Sequence, residues 1–186
     1  MMALMTIERE APDAELARNA AGGDRGAFSA LVERHYDFIF RLAWRMTGNR
    51  ADAEDVAQDV CARLGRAIRS YRGGSAFTTW LYAIVVNAVR DAGRRSARDA
   101  ARAQAWAVHA LTGGETAPEP EDPAEALWRA VRALPPKQRE AVTLVYGEEL
   151  SHAEAADLMG CSEPTVSWHI HEAKKRLKTI MSAGEV

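Results

Sequence analysis

Three groups of side chains in this 186-residue chain have the types and spacing to do chemistry. Asp52, Asp55, Gln58 and Asp59 recur at intervals of three and four, which lines them along one face of a helix opposite Val56, Val60 and Leu64. Such an acidic stripe suits a basic partner; taken alone it would also serve as a solvated face. Near the C-terminus, Glu163, Thr165, Ser167, Trp168, His169 and His171 precede Lys174, Lys175, Arg176 and Lys178. Polar heads early on a helix and cations later can approach base edges and phosphates respectively. In the middle, aromatic residues at helical spacing run into Arg94, Arg95, Arg98 and Arg102, a basic tail suited to phosphates. Other combinations fail on spacing. His169 and His171 stand two apart on a helix and point to different sides, so no metal site is expected. Ser151 and His152 are neighbours at a helix start and cannot form a nucleophile and base held by a third group near Asp157. No catalytic residue, cofactor or metal is therefore expected.

The elements that must carry these groups are all helical. A short helix is expected over 13–21. Phe28, Leu31, Val32, Ile39, Leu42 and Met46 form one apolar face before Gly48, and Asn49 can cap a following helix that carries Val56, Val60, Leu64 and Ile68. Gly73 and Gly74 break that run. Ser75 is positioned to cap a third long helix, in which Phe77, Trp80, Leu81, Ile84, Ala88 and Val89 make the core stripe. Residues 112–123 have the Gly, Pro and acidic composition of a flexible, self-repelling connector. Beyond it come a helix from Ala124, a Leu134-Pro135-Pro136 start to a helix reaching Tyr146, and two more. Ser151 with Glu154 reads as a capping box, and Gly160 can take the positive φ that ends a helix. Ser162 is placed to cap the next, with Pro164 in its first turn and Val166, Ile170, Ala173 and Leu177 inward. This pair reads as a helix-turn-helix. No run of alternating strand residues appears, so the expected fold class is all-α: two small helical domains joined by a flexible acidic linker.

Composition narrows the class. Hydrophobic residues make up 47% and charged ones 27%, which excludes a disordered or low-complexity chain. No stretch is long and apolar enough to span a bilayer and no signal-peptide pattern opens the chain, so a cytoplasmic protein without membrane insertion is expected. Cys61 and Cys161 are then expected to be reduced, buried thiols. The net charge of −2 looks wrong for a protein that grips nucleic acid unaided, but it hides a polarity. Residues 1–72 balance to zero, 73–112 carry +3 and 113–186 carry −5. The acid excess belongs to Glu115, Glu119, Glu121, Asp122 and Glu125, in and beside the connector.

In their order, four stretches resemble one family. These are 52–60 (Asp-Ala-Glu-Asp-Val-Ala-Gln-Asp-Val), 71–82 (Tyr-Arg-Gly-Gly-Ser-Ala-Phe-Thr-Thr-Trp-Leu-Tyr) followed by Asn87, 134–140 (Leu-Pro-Pro-Lys-Gln-Arg-Glu) and 150–166. Together they resemble the extracytoplasmic-function (ECF) sigma factors of bacterial RNA polymerase over about residues 24–180. The resemblance implies a promoter-specificity subunit that directs recognition, melting and initiation. Its expected layout is an N-terminal segment at 1–23, a region 2-like domain at 24–105, a linker at 106–124 and a region 4-like domain at 125–183. It implies binding to core RNA polymerase at the β′ clamp, through Asp52, Asp55, Gln58 and Asp59, and at the β flap. For the −10 element and melting it implies Arg72, Gly73, Gly74, Ser75, Thr78, Asn87, Arg90 and Arg94, the last four along an exposed edge and its basic continuation. Unstacked bases there need apolar or aromatic faces and a basic track, although Phe77, Trp80 and Leu81 also suit the core. For the −35 element it implies Glu163, Thr165, Ser167, Trp168, His169, His171, Lys174 and Lys175. An anti-sigma factor is the implied regulator, and the acidic linker is expected to run through a basic channel of the polymerase.

The recognition helix departs from the family's usual small and basic residues at Trp168, His169 and Glu172. Glu172 would repel a phosphate or accept from a cytosine amine. Two other readings are a sigma-like adaptor that binds an anti-sigma factor without reading DNA, and a free-standing helix-turn-helix regulator. The low net charge and the acidic stripe disfavour the latter.

Overall fold

The structure, a computed structural model, describes residues 11–106 and 123–183. Of the acidic connector expected at 112–123, residues 112–122, and with them the channel proposed for it, lie outside the described residues, while Pro123 already opens a helix. Among those residues every regular element is a helix, as expected. They divide into two units: 1–44 with 49–89, and 45–48 with 90–186.

In the first unit, α1 (Asp13–Ala21) carries Asp13 and Glu15 in its first turn and Arg18 in its last, matching the helix dipole. It buries Leu16, Ala17 and Ala20 and packs against a single 3-10 turn, Ile68–Ser70. Asp13 also accepts from Arg34 Nη1 (2.5 Å) and pairs with His35 Nε2 (2.8 Å), which ties α1 to the next helix. That helix, α2 (Arg25–Thr47), starts where Asp24 Oδ1 accepts the N–H groups of Gly26 (2.8 Å) and Ala27 (3.1 Å). Gly48, at φ 78°, ends it in a left-handed conformation that suits glycine. α3 (Arg50–Ala67) begins as expected, with Asn49 Oδ1 accepting the Asp52 N–H (3.1 Å).

The next helix starts later than a Ser75 cap requires. α4 (Phe77–Trp106) opens after Ala76, whose carbonyl takes the Trp80 N–H (3.1 Å). The Ser75 carbonyl accepts the Tyr71 hydroxyl (2.8 Å), and that bond holds Ser75 in the loop. The core of this unit is Leu31, Ile39, Leu42, Val56, Val60, Leu64, Phe77, Leu81 and Val85, all buried. Each such aliphatic side chain contributes roughly 1.5–3 kcal/mol through removal from water, so the interleaved apolar faces hold this bundle together.

In the second unit, α5 (Pro123–Arg132) and α6 (Pro136–Val142) flank the Leu134-Pro135 corner, and α6 continues into a π turn over Thr143–Gly147. The helix expected to reach Tyr146 is therefore present, with a wider last turn. α7 (His152–Met159) and α8 (Glu163–Ala183) follow. Val131, Leu134, Val142 and Ala173 form a buried cluster with Trp128 and Leu177 against it. The α7 capping box forms in full, and Gly160 takes φ 64°. Only Cys161 and Ser162 separate it from α8, so the helix-turn-helix is built as expected. Ser162 stands immediately before α8; its carbonyl accepts from Thr165 N (2.9 Å) and its hydroxyl bonds the Thr165 hydroxyl (2.9 Å).

Both cysteines are free, and they are half-buried where full burial was expected. Burial still pushes the Cys61 thiol up, which keeps it protonated and unreactive.

Candidate functional site

The α3 surface is set by its period. Ala53, Val56, Ala57 and Val60 are buried, so the chain must turn Asp52, Asp55 and Gln58 outward, and all three are exposed. Their side chains have no hydrogen-bonding partner among the described residues. Asp59 is half-buried and forms an ion pair with Arg63 one turn on (2.7 Å). The face is thus three polar heads open to a partner and a fourth already partly neutralised.

The second surface is the loop before α4 and that helix's outer side. Arg72, Gly73, Gly74 and Ser75 are exposed, and Gly73 takes φ 71°. Beneath them lies an aromatic cluster. Tyr71 meets Phe77 edge-on (5.8 Å between centroids) and Trp80 at 5.3 Å, while His35 lies 5.2 Å from Phe77. Phe77 and Leu81 are buried and Trp80 half-buried, so these rings support the loop from below. Thr78 and Asn87 are exposed, as expected. Arg90 differs: it is half-buried, pairs with Glu140 and donates to the Leu158 carbonyl (2.8 Å) within the second unit. Its long side chain follows the nearest carboxylate, which sequence spacing cannot locate. Arg94 is exposed and paired with Asp91 three residues earlier. Arg98 is exposed and donates to the Arg94 carbonyl (3.2 Å), whereas the side chain of Arg102 lies outside the described residues.

The third surface is α8. Val166, Ile170 and Ala173 are buried, which turns Glu163, Ser167, Trp168, His171, Lys174 and Lys175 to solvent. Trp168 is 56% exposed, and its ring lies 5.0 Å from that of His169. Thr165 and His169 are half-buried. Burial first, then Lys137, pushes the His169 imidazole toward its neutral form against the pull of Glu140. The Lys175 ammonium (3.1 Å) holds the Glu172 carboxyl below the ordinary range. Lys174 Nζ stands 5.2 Å over the Tyr146 ring.

Two further contacts were not foreseen. His152 Nδ1 lies 3.0 Å from Ser167 Oγ, and Tyr146, 53% exposed, seats Lys174. The first joins residues fifteen apart through a turn, and no period in the sequence signals it. Ser151 is occupied with Glu154, whose carboxyl is lowered by the Ser151 hydroxyl and N–H, so it does not pair with His152. Among the described residues no group of three His, Cys, Asp or Glu side chains could hold a metal, and no helix is long and apolar enough to cross a membrane.

Comparison with known proteins gives the family. Residues 31–107 match Sigma-70 region 2 and residues 124–177 match Sigma-70 region 4. The ECF RNA polymerase sigma factor SigM of Mycobacterium tuberculosis is 35% identical over 172 residues, covering 92% of this chain and 86% of SigM. SigE of Mycolicibacterium smegmatis is 32% identical over 169 residues; the match takes in 87% of this chain and 65% of that longer protein. The solved structure of CnrH in complex with the cytosolic domain of CnrY is similar over 92% of this chain and 97% of its own, with a TM-score of 0.65 at 26% identity. With both regions matched in order along one chain and SigM similar over most of its length, the chain belongs to the ECF sigma factors of RNA polymerase.

Proposed function

We propose that the chain joins core RNA polymerase and gives it promoter specificity, with no enzymatic activity of its own and in the cytoplasm. The observation that carries this reading is the open acidic face of α3 in one unit together with the outward polar face of α8 in the other. Asp52, Asp55, Gln58 and Asp59 dock on the β′ clamp, where bare carboxylates complement a basic surface. The region 4-like domain, 125–183, meets the β flap. Arg72 to Ser75, with Thr78, Asn87, Arg90 and Arg94, take the −10 element and its melted strand in the region 2-like domain, 24–105. Arg90 must leave Glu140 to do so. Glu163, Thr165, Ser167, Trp168, His169, His171, Lys174 and Lys175 serve the −35 element, Trp168 supplying an apolar face to a thymine methyl and the lysines meeting phosphates.

The weak net charge fits two readers that bind poorly alone and well when polymerase fixes their spacing. An anti-sigma factor is the natural regulator, since it would cover these same faces; CnrH is held by the cytosolic domain of another protein. The test is transcription from a genomic library by core polymerase with and without the purified chain. New start sites sharing two spaced elements are expected. Tight core binding with no new starts would overturn the promoter reading in favour of an adaptor.

A further inference from the structure

We infer that His152, through its hydrogen bond to Ser167, is a positioning residue that sets which base the serine reads in the −35 element. The inference rests on the promoter reading above. Ser167 is exposed on α8, one residue before Trp168, and its Oγ lies 3.0 Å from His152 Nδ1. The histidine is held from behind. It is the first residue of α7, whose start is locked by the Ser151–Glu154 capping box and whose end is turned by Gly160. Ala155, Ala156 and Met159 on α7 and Val166 and Ile170 on α8 are buried, so the two helices cannot slide without opening the core.

A lone surface serine samples three rotamers and turns its proton freely. The imidazole holds the oxygen in one rotamer and restricts where its proton can point. If the hydroxyl donates to Nδ1, Ser167 offers only lone pairs outward and accepts from the exocyclic amine of adenine or cytosine. If Nδ1 carries the proton and donates, the hydroxyl proton is freed for guanine O6 or N7 or for thymine O4. With Nδ1 as acceptor a single hydrogen-bonding sense is selected, and with Nδ1 as donor one lone pair is taken up and the proton is aimed away from the ring, so in both cases His152 acts on base choice without touching the base.

The test uses holoenzyme assembled from the full chain and core polymerase on a promoter library randomised across the upstream element. Wild type, His152→Ala, Ser167→Ala, the double variant and His152→Asn are compared. The two alanine variants are expected to cut discrimination at the same single base position by roughly three- to tenfold, the worth of one hydrogen bond. The double variant should lose no more than either alone, and the asparagine, whose amide can still reach Ser167, should recover most of the preference. An even loss of transcription across all positions for His152→Ala would mark a merely structural role and overturn the inference. So would an unchanged preference, or a change at a base that Ser167→Ala leaves alone. A wild-type holoenzyme without any two-element preference would instead bring down the promoter reading, and this inference with it.

Discussion

The outer faces of α3 and α8 are both made by helices that bury one stripe and show the other, yet they are prepared for partners differently. On α3, Asp52, Asp55 and Gln58 have no side-chain partner among the described residues, whereas Asp59 is answered by Arg63. On α8, Ser167 is bonded to His152, Lys175 to Glu172, and Lys174 rests over Tyr146. A surface of bare like charges offers a field and tolerates small errors of fit, which suits a protein partner that brings its own cations. Side chains already held by neighbours offer geometry, which suits the reading of base edges. The comparison therefore teaches that substitutions on α3 should change affinity, while those on and behind α8 should change which sequence is chosen.

That contrast is broken most severely by removing what keeps α4, and with it the first unit, in place. Leu81→Ala empties a fully buried site and is expected to cost about 2–5 kcal/mol, read as a lower denaturant midpoint; polymerase binding should fall only in proportion to unfolding. A change of less than about 0.5 kcal/mol would mean that α4 is not a core helix. On α3 itself, Asp55→Lys should weaken binding to core polymerase by more than tenfold with no matching loss of thermal stability. Asp59→Asn, which removes a charge Arg63 already answers, should cost only about threefold. Equal effects in a fluorescence titration would show that the free and paired carboxylates do not differ in role.

Behind α8, Ser151→Ala removes the cap of α7 and should destabilise the second unit by about 1 kcal/mol at neutral pH. The pH dependence has a definite sign. The Glu154 carboxyl is lowered in the folded chain, so its share of stability is present above the ordinary carboxylate range and is lost as the pH falls through the lowered value. Melting curves of wild type and variant should converge in acid; a constant gap would show that the carboxylate takes no part. The smallest effect is expected at Glu172→Gln. Freed from its partner, Lys175 should meet phosphate, raising holoenzyme affinity for promoter a few-fold and steepening the salt dependence by about one unit. Lost preference at one base position, with an unchanged salt slope, would show that Glu172 itself accepts from a base.

Much of the molecule follows from local rules. Periods of three and four placed Leu31, Ile39, Val56, Val60, Leu81, Val166 and Ile170 inward, and the capping residues Asn49 and Ser151 and the turn residues Gly48 and Gly160 set helix ends, because propensity and capping act within one or two turns. The same arithmetic turned Asp52, Asp55 and Gln58 outward and made the helix-turn-helix recognisable. It misjudged Ser75, whose carbonyl takes the Tyr71 hydroxyl within the loop, a contact that helix periodicity does not signal. What the tertiary structure alone decided is which side chains are already spoken for: Arg90 with Glu140, His152 with Ser167, Lys174 over Tyr146. Such pairings join residues tens of positions apart or across a turn, and long flexible side chains choose partners by distance in space. Sequence determined the faces of this protein; packing decided which groups on those faces are held and which are free.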